Sequence, residues 1–168
     1  MKEGLLQRIK SHAYWSLRLL PLIPAEQPLR YQEALDLVQK NRVSVRGWDF
    51  PHVSHREDDQ GGSARTAEFL ENWTDWMRRW EFWRFYRSGQ FIFMEALEED
   101  FEQDKANAGT IDMVSAIYTV TEYLVFAERL AGSRVFDRKC DVELTFHSPG
   151  PRLLIAGRNR IPFFDRKR

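Results

Sequence analysis

One cysteine, Cys140, in 168 residues excludes an internal disulfide, and a reducing, cytoplasmic setting is the expectation. No apolar run approaches the ~20 residues that a membrane-spanning helix needs, so no membrane partner is expected. The opening residues, Met1 to Leu6, lack the long apolar core of a signal peptide, and none is expected. Net charge is missing as well. The 25 Lys and Arg balance 25 Asp and Glu, which disfavours a polycation binding nucleic acid by overall charge and leaves only local patches open. Also absent are the phosphate cradles G-x-x-x-x-G-K-[ST] and G-x-G-x-x-G, the G-x-S-x-G elbow, H-E-x-x-H and the calcium-loop pattern. An enzyme of these motif classes is not indicated, no catalytic residue is assigned and no cofactor is expected.

What is present supports one domain over residues 1–168. Hydrophobic residues make up 43% of the chain, enough for one sizeable core and too little for two at this length. Six Trp and twelve Phe give an aromatic content of 14%, which is hard to bury in one small domain. Leu5, Leu6 and Ile9 sit at helical spacing. Trp15, Leu17 and Leu19 alternate with Ser16 and Arg18 as in a strand. After Pro21, Pro24 and Pro28, the residues Tyr31, Ala34, Leu35 and Val38 mark one face of a short helix.

Alternation over 43–50 predicts a second strand, stopped by Pro51. Residues 55–65, with Gly61, Gly62 and several charges, read as a mobile loop. The stripe Phe69, Trp73, Trp76 or Met77 and Trp80 predicts a helix capped by Thr66. Two aromatic runs flanking Ser88 and Gly89 predict a β-hairpin over 82–97, because glycine supplies the positive φ of a tight turn. A long helix from a Thr110 cap to about Ala131, ended by Gly132, is apolar on more than one side. A second hairpin is expected over 142–155, and residues 158–168 form a basic tail. The fold class is α+β: a mainly antiparallel sheet, helices largely on one face, and one long buried helix in the C-terminal half.

Three constellations could carry function. Asp49, His52 and His55 have metal-ligand chemistry, but Pro51 breaks the segment and no helix aligns the histidines, so a structural role is the expectation. The acidic run Glu95, Glu98, Glu99, Asp100, Glu102 and Asp104 could bind a divalent cation or supply a general acid–base pair, although such runs are mostly solvated surface. Arg78, Arg79, Arg84 and Arg87 interleave with aromatic residues suited to stacking on bases, and Arg166, Lys167 and Arg168 add phosphate contacts in the tail.

The segment Arg46, Gly47, Trp48, Asp49, Phe50, Pro51 and His52, with the run from Phe82 to Phe91, resembles an uncharacterised region of bacterial proteins. Some of those proteins carry Schlafen-type, AlbA-like DNA-binding domains. The resemblance covers roughly residues 14–155 and implies a bacterial origin and a sensing or defence context. It implies no catalytic residue, and this chain has no Schlafen-type domain of its own. The leading expectation is a non-enzymatic accessory or regulatory subunit docking onto larger protein subunits through Trp73, Trp76 and Trp80. The alternatives are a nucleic-acid-binding accessory protein, using the arginines and tail, and a metal-dependent hydrolase around His52 and His55.

Overall fold

A computed structural model describes residues 3–23, 27–101, 109–133, 135–136 and 139–156. Its centre is a six-stranded sheet in the order β2-β3-β4-β5-β1-β7, with every neighbouring pair antiparallel. The strands are β1 (Tyr14–Pro21), β2 (Gly61–Arg65), β3 (Phe69–Trp76), β4 (Arg79–Tyr86), β5 (Phe91–Ala96) and β7 (Cys140–His147). Helices α2 (Tyr31–Asn41) and α3 (Met113–Ala131) cover one face, and the short α1 (Leu5–Lys10) sits on the other. Two further strands, β6 (Thr110–Asp112) and β8 (Leu153–Ile155), pair in parallel as a separate ribbon. The fold is α+β, as the residue patterns predict.

The core follows from strand alternation. Leu17, Leu19, Trp83, Phe85, Phe91 and Phe93 point to the α3 face and are fully buried. They meet Tyr123, Phe126 and Leu130, which recur at helical spacing along the inner side of α3. Phe82 and Ala96, with Trp73, Trp80 and Met94, face the other way and are closed over by Leu5 and Ile9 of α1.

The hairpin over 82–97 forms as expected, with Gly89 at φ +97°. A Cβ there would lie 2.9 Å from Val135 Cγ1 and 3.2 Å from the Pro21 ring. Gly89→Val therefore meets both a forbidden backbone region and a closed wall. It is expected to lower unfolding free energy by more than about 1 kcal/mol in a urea titration. Wild-type stability in that variant would refute the turn geometry.

Five expectations are corrected. The helix predicted over 66–80 is instead β3, a turn at Met77 and Arg78, and the start of β4. Both faces of this sheet are covered, so buried Leu70, Asn72 and Thr74 alternate with the equally buried Glu71 and the simple in–out signal is lost. Residues 43–50 are a loop rather than a strand, because Gly47 at φ +82° turns the chain and only Val43 and Phe50 pair. Within 55–65, Gly61 and Gly62 open strand β2, where Ser54 and the Trp73 ring leave no room for a Cβ. Asp112, not Thr110, caps α3, its Oδ1 accepting from the Val114 and Ser115 amides at 2.8 and 3.0 Å. The hairpin over 142–155 does not form, since β7 joins β1 while β8 joins β6. The tail 158–168 lies outside the described residues.

Candidate functional site

Strand register builds a polar row into the face beneath α3. Thr74 on β3, Glu81 on β4, Glu95 on β5 and Trp15 on β1 are successive cross-strand partners. Direct partners share a face, with Cβ atoms about 4.5–5.5 Å apart, so the two glutamates confront each other. The next two rows, Asn72–Trp83–Phe93–Leu17 and Leu70–Phe85–Phe91–Leu19, are almost wholly apolar. Two carboxyls thus stand at the margin of the main aromatic core.

Helix α3 and the 43–50 loop bring the remaining groups. The Tyr123 hydroxyl donates to Glu95 Oε1 at 2.6 Å. Arg46 Nη2 donates to Glu122 Oε2 at 2.5 Å and to Thr119 Oγ1 at 3.1 Å. The Arg79 guanidinium lies 4.6 Å from the centre of the Trp48 ring, which itself stacks on His52. Glu81 is different. It is 3% exposed, and its Oε1 is buried with no hydrogen-bond partner, as are Glu122 Oε1, Thr74 Oγ1 and Trp48 Nε1. Thr74 and Trp48 lie near enough to favour a charge on Glu81, but outside hydrogen-bond geometry.

Burial pushes the Glu81 carboxyl up to about 8, and the facing Glu95 adds to the rise. Glu81 accordingly holds its proton at pH 7. Burial also raises Glu95, against the opposing pull of the Tyr123 hydroxyl and Arg79. Tyr123 is pushed well above the usual phenol range by burial and then by the charge of Glu95. Burial works against the Arg46 charge too, yet Glu122 holds it above its ordinary value.

The row opens into a narrow cleft of about 40 Å³, lined by Glu81, Glu95, Trp15 and Leu97 together with Arg46, Arg78 and Arg79. Glu95 keeps part of its surface accessible, while Glu81 is sealed. A smaller adjoining hollow of about 10 Å³ shares Arg46, Arg79, Glu81 and Glu95 and adds Trp48 and Glu122. The chain matches no protein-family model, no curated protein and no solved structure. The site is therefore read from its own geometry.

The residues singled out from sequence are dispersed. Asp49 is bound by Arg42 at 2.7 Å, His52 stacks on Trp48 at 4.3 Å, and His55 is exposed. Among the described residues, no three His, Cys, Asp or Glu side chains are grouped to hold a metal ion. Arg84 is committed to Glu71 at 2.8 Å and covers the Phe69 ring, on the α1 side of the sheet. Arg87 donates to the carbonyls of Leu29 and Ala67 at 2.6 and 3.1 Å, Arg79 lies on the α3 side, and Arg78 is on an exposed turn. These four arginines do not share a surface, and Arg166, Lys167 and Arg168 lie outside the described residues.

Of the three tryptophans expected to bind a partner, Trp73 and Trp80 pack against the α1 cluster. Trp80 is wedged against His12 and Phe101, with ring centres 5.1 and 4.6 Å away. Only Trp76 is exposed, and its ring faces that of Trp48 at 6.2 Å. Among the described residues of the acidic run, Asp100 binds Arg152 and the Ala13 amide, Glu99 accepts from the Asp112 amide, and only Glu95 reaches the buried row, while Glu102 and Asp104 lie outside the described residues. Sequence reading thus flagged Glu95 and missed Glu81, Glu122, Tyr123, Arg46 and Trp48. The signal available was a glutamate at a core-facing position next to Trp83 on an otherwise aromatic strand.

The outer side of α3 carries a second feature. Val114, Ile117, Tyr118 and Leu124 are exposed along it. Leu124 also lines a shallow groove with Leu22, Ala127, Ala131 and Val142, bordered by Glu128 and Lys139.

Proposed function

We propose that the protein is a non-enzymatic accessory or regulatory subunit that docks onto a larger protein partner through the outer face of α3. The observation that supports this reading is the apolar stripe on that helix. Ile117 is 57% exposed and Leu124 50%, two turns apart on one side, with Val114 and Tyr118 beside them. Clustered apolar side chains of this kind mark interaction sites, and aliphatic and tyrosine anchors ringed by charge suit a protein segment as occupant. The groove between α3 and β7 extends the stripe with Leu22 and Val142, and the outer edge of β7 carries no further strand among the described residues. The docking surface is therefore placed on α3 rather than on Trp73 and Trp80.

The test is co-expression with the products of neighbouring genes, followed by size-exclusion chromatography with mass measurement. The double variant Ile117→Glu/Leu124→Glu is expected to fold normally, because both side chains are exposed. It should lose the complex at least tenfold, about 1.4 kcal/mol, while 0.5 M salt barely weakens the wild-type complex. A monomer that retains none of those products well above ~1 μM, or a complex indifferent to the double substitution, would overturn the reading.

A further inference from the structure

We propose that the outer edge of β7 pairs with the β7 edge of a second copy of this chain, joining two six-stranded sheets into one across a two-fold axis. This goes beyond the docking reading and stands without it, because it rests on a strand edge rather than on the stripe of α3.

Backbone direction comes first. The Leu97 amide donates to the Ala13 carbonyl at 2.7 Å, and the β1–β5 register makes these two residues direct partners. Hydrogen-bonding direction alternates along a strand, so odd-numbered residues here turn to β5 and even-numbered residues of β1 turn to β7. On β7 the residues opposite those even ones are Asp141, Glu143, Thr145 and His147. Val142, Leu144 and Phe146 therefore point their amides and carbonyls away from the sheet. Among the described residues no strand pairs with that edge, and such an edge is a template for another strand.

The side chains select this strand as its own partner. Val142, Leu144 and Phe146 are the neighbours of Leu19, Leu17 and Trp15 on the α3 side of the sheet. A two-fold axis at Leu144 sets that residue opposite its own copy and Val142 opposite Phe146 of the second copy. On the other side of the sheet it sets Asp141 opposite His147 and Glu143 opposite Thr145. Apolar pairs and an acid facing an imidazole are favourable cross-strand partners. His147 is held on that side by stacking on Tyr14 at 4.2 Å and by Ser16 at 3.0 Å, while Arg18 neutralises Glu143 at 2.8 Å. Neighbouring registers are worse. An axis at Glu143 sets that carboxylate against its own copy, and an axis at Thr145 leaves Val142 opposite Ser148, beyond the end of the strand. Charges that would deter other pairings thus fix this register.

The pairing also covers apolar surface. Val142 is 43% exposed and lines the groove with Leu124 and Leu22, itself 53% exposed. Phe146 of the second copy arrives opposite Val142, beside that groove. The contact is isologous, so it closes at two chains and places both α3 helices on the same side of the joined sheet.

The experiment uses the full chain alone. Sedimentation equilibrium from about 2 to 200 μM should show the mass rising with concentration toward twice the 20.0 kDa of one chain. Val142→Pro removes an outward amide and no bond to β1, a change that edge strands tolerate, so it should unfold cooperatively and associate about tenfold more weakly or worse. Val142→Lys should weaken association as well, and it keeps the test valid should the proline variant fold poorly. Ile117→Glu, two turns along α3 from Leu124, should leave self-association unchanged, so failure here is distinguishable from failure of the docking reading. Amide exchange gives a second readout: Val142, Leu144 and Phe146 should exchange slowly at high concentration and quickly at low. A monomer throughout the range, or a dimer indifferent to both Val142 variants, would overturn the proposal. So would protection of those three amides that is independent of concentration, which would put another segment of the same chain on the edge.

Discussion

Glu81→Gln is expected to leave the protein about as stable as wild type near pH 5 and to make it markedly more stable above pH 8. The unfolded chain releases this proton at its ordinary value of 4.5, whereas the folded chain holds it to about 8. Between those values the native state binds more protons than the unfolded state, so wild-type stability falls as pH rises through the window. The stabilising contribution is complete below 4.5 and gone once pH passes the folded value. Glutamine keeps the shape of the neutral acid and has no proton to lose. At about 1.4 kcal/mol per unit, the interval sets a ceiling of about 5 kcal/mol for the gain at alkaline pH. Water entry would reduce it to about half that, still a large fraction of a domain's net stability.

Urea titrations of both proteins at pH 5, 7 and 9 give the difference directly and cancel the other titrating groups. A variant less stable than wild type at pH 9 would show that Glu81 is ionised and well matched in the native state.

Phe50→Ala is expected to cost about 3–5 kcal/mol, the range for removing a buried aromatic ring. Phe50 is 5% exposed, and its ring centre lies 4.5 Å from Tyr123, 4.8 Å from Phe93 and 5.4 Å from Phe126. It closes the 43–50 loop through paired hydrogen bonds with Val43 at 2.7 and 2.8 Å. Arg46 and Trp48 hang from that loop, so the ring also anchors one side of the acid row. Denaturant midpoints measure the loss. A change below about 1 kcal/mol would mean that the loop is not seated in the core, and the described site would lose its frame. Phe50→Leu, which retains most of the volume, should cost clearly less.

The hairpin turn at Gly89 and the extent of α3 were legible because each depends on near neighbours in the chain. Positive φ selects glycine wherever it occurs, and buried residues on a helix recur every three or four positions regardless of what covers them. Strands β3 and β4 were not legible as a pair, since both faces of the sheet are covered and β3 buries Glu71, Asn72 and Thr74, which erases the in–out alternation. Trp73, Trp76 and Trp80 fit a helical stripe by coincidence of spacing, and the structure separates them across two strands and two faces.

The candidate site divides along the same line. Glu95 could be flagged in an acidic run, but nothing adjacent in sequence distinguishes it from Glu98, which is exposed. Glu81 and Glu122 read as ordinary surface charges. Sequence alone determined the α+β class, the turn at Ser88 and Gly89, and the absence of the common catalytic motifs, because these rest on local backbone sterics and short spacing. Tertiary structure alone decided that Glu81 meets Glu95 and Trp15 in one row and that Arg46 goes to Glu122 instead. Strand register and loop closure set those contacts, and a shift of one residue would turn every side chain to the opposite face.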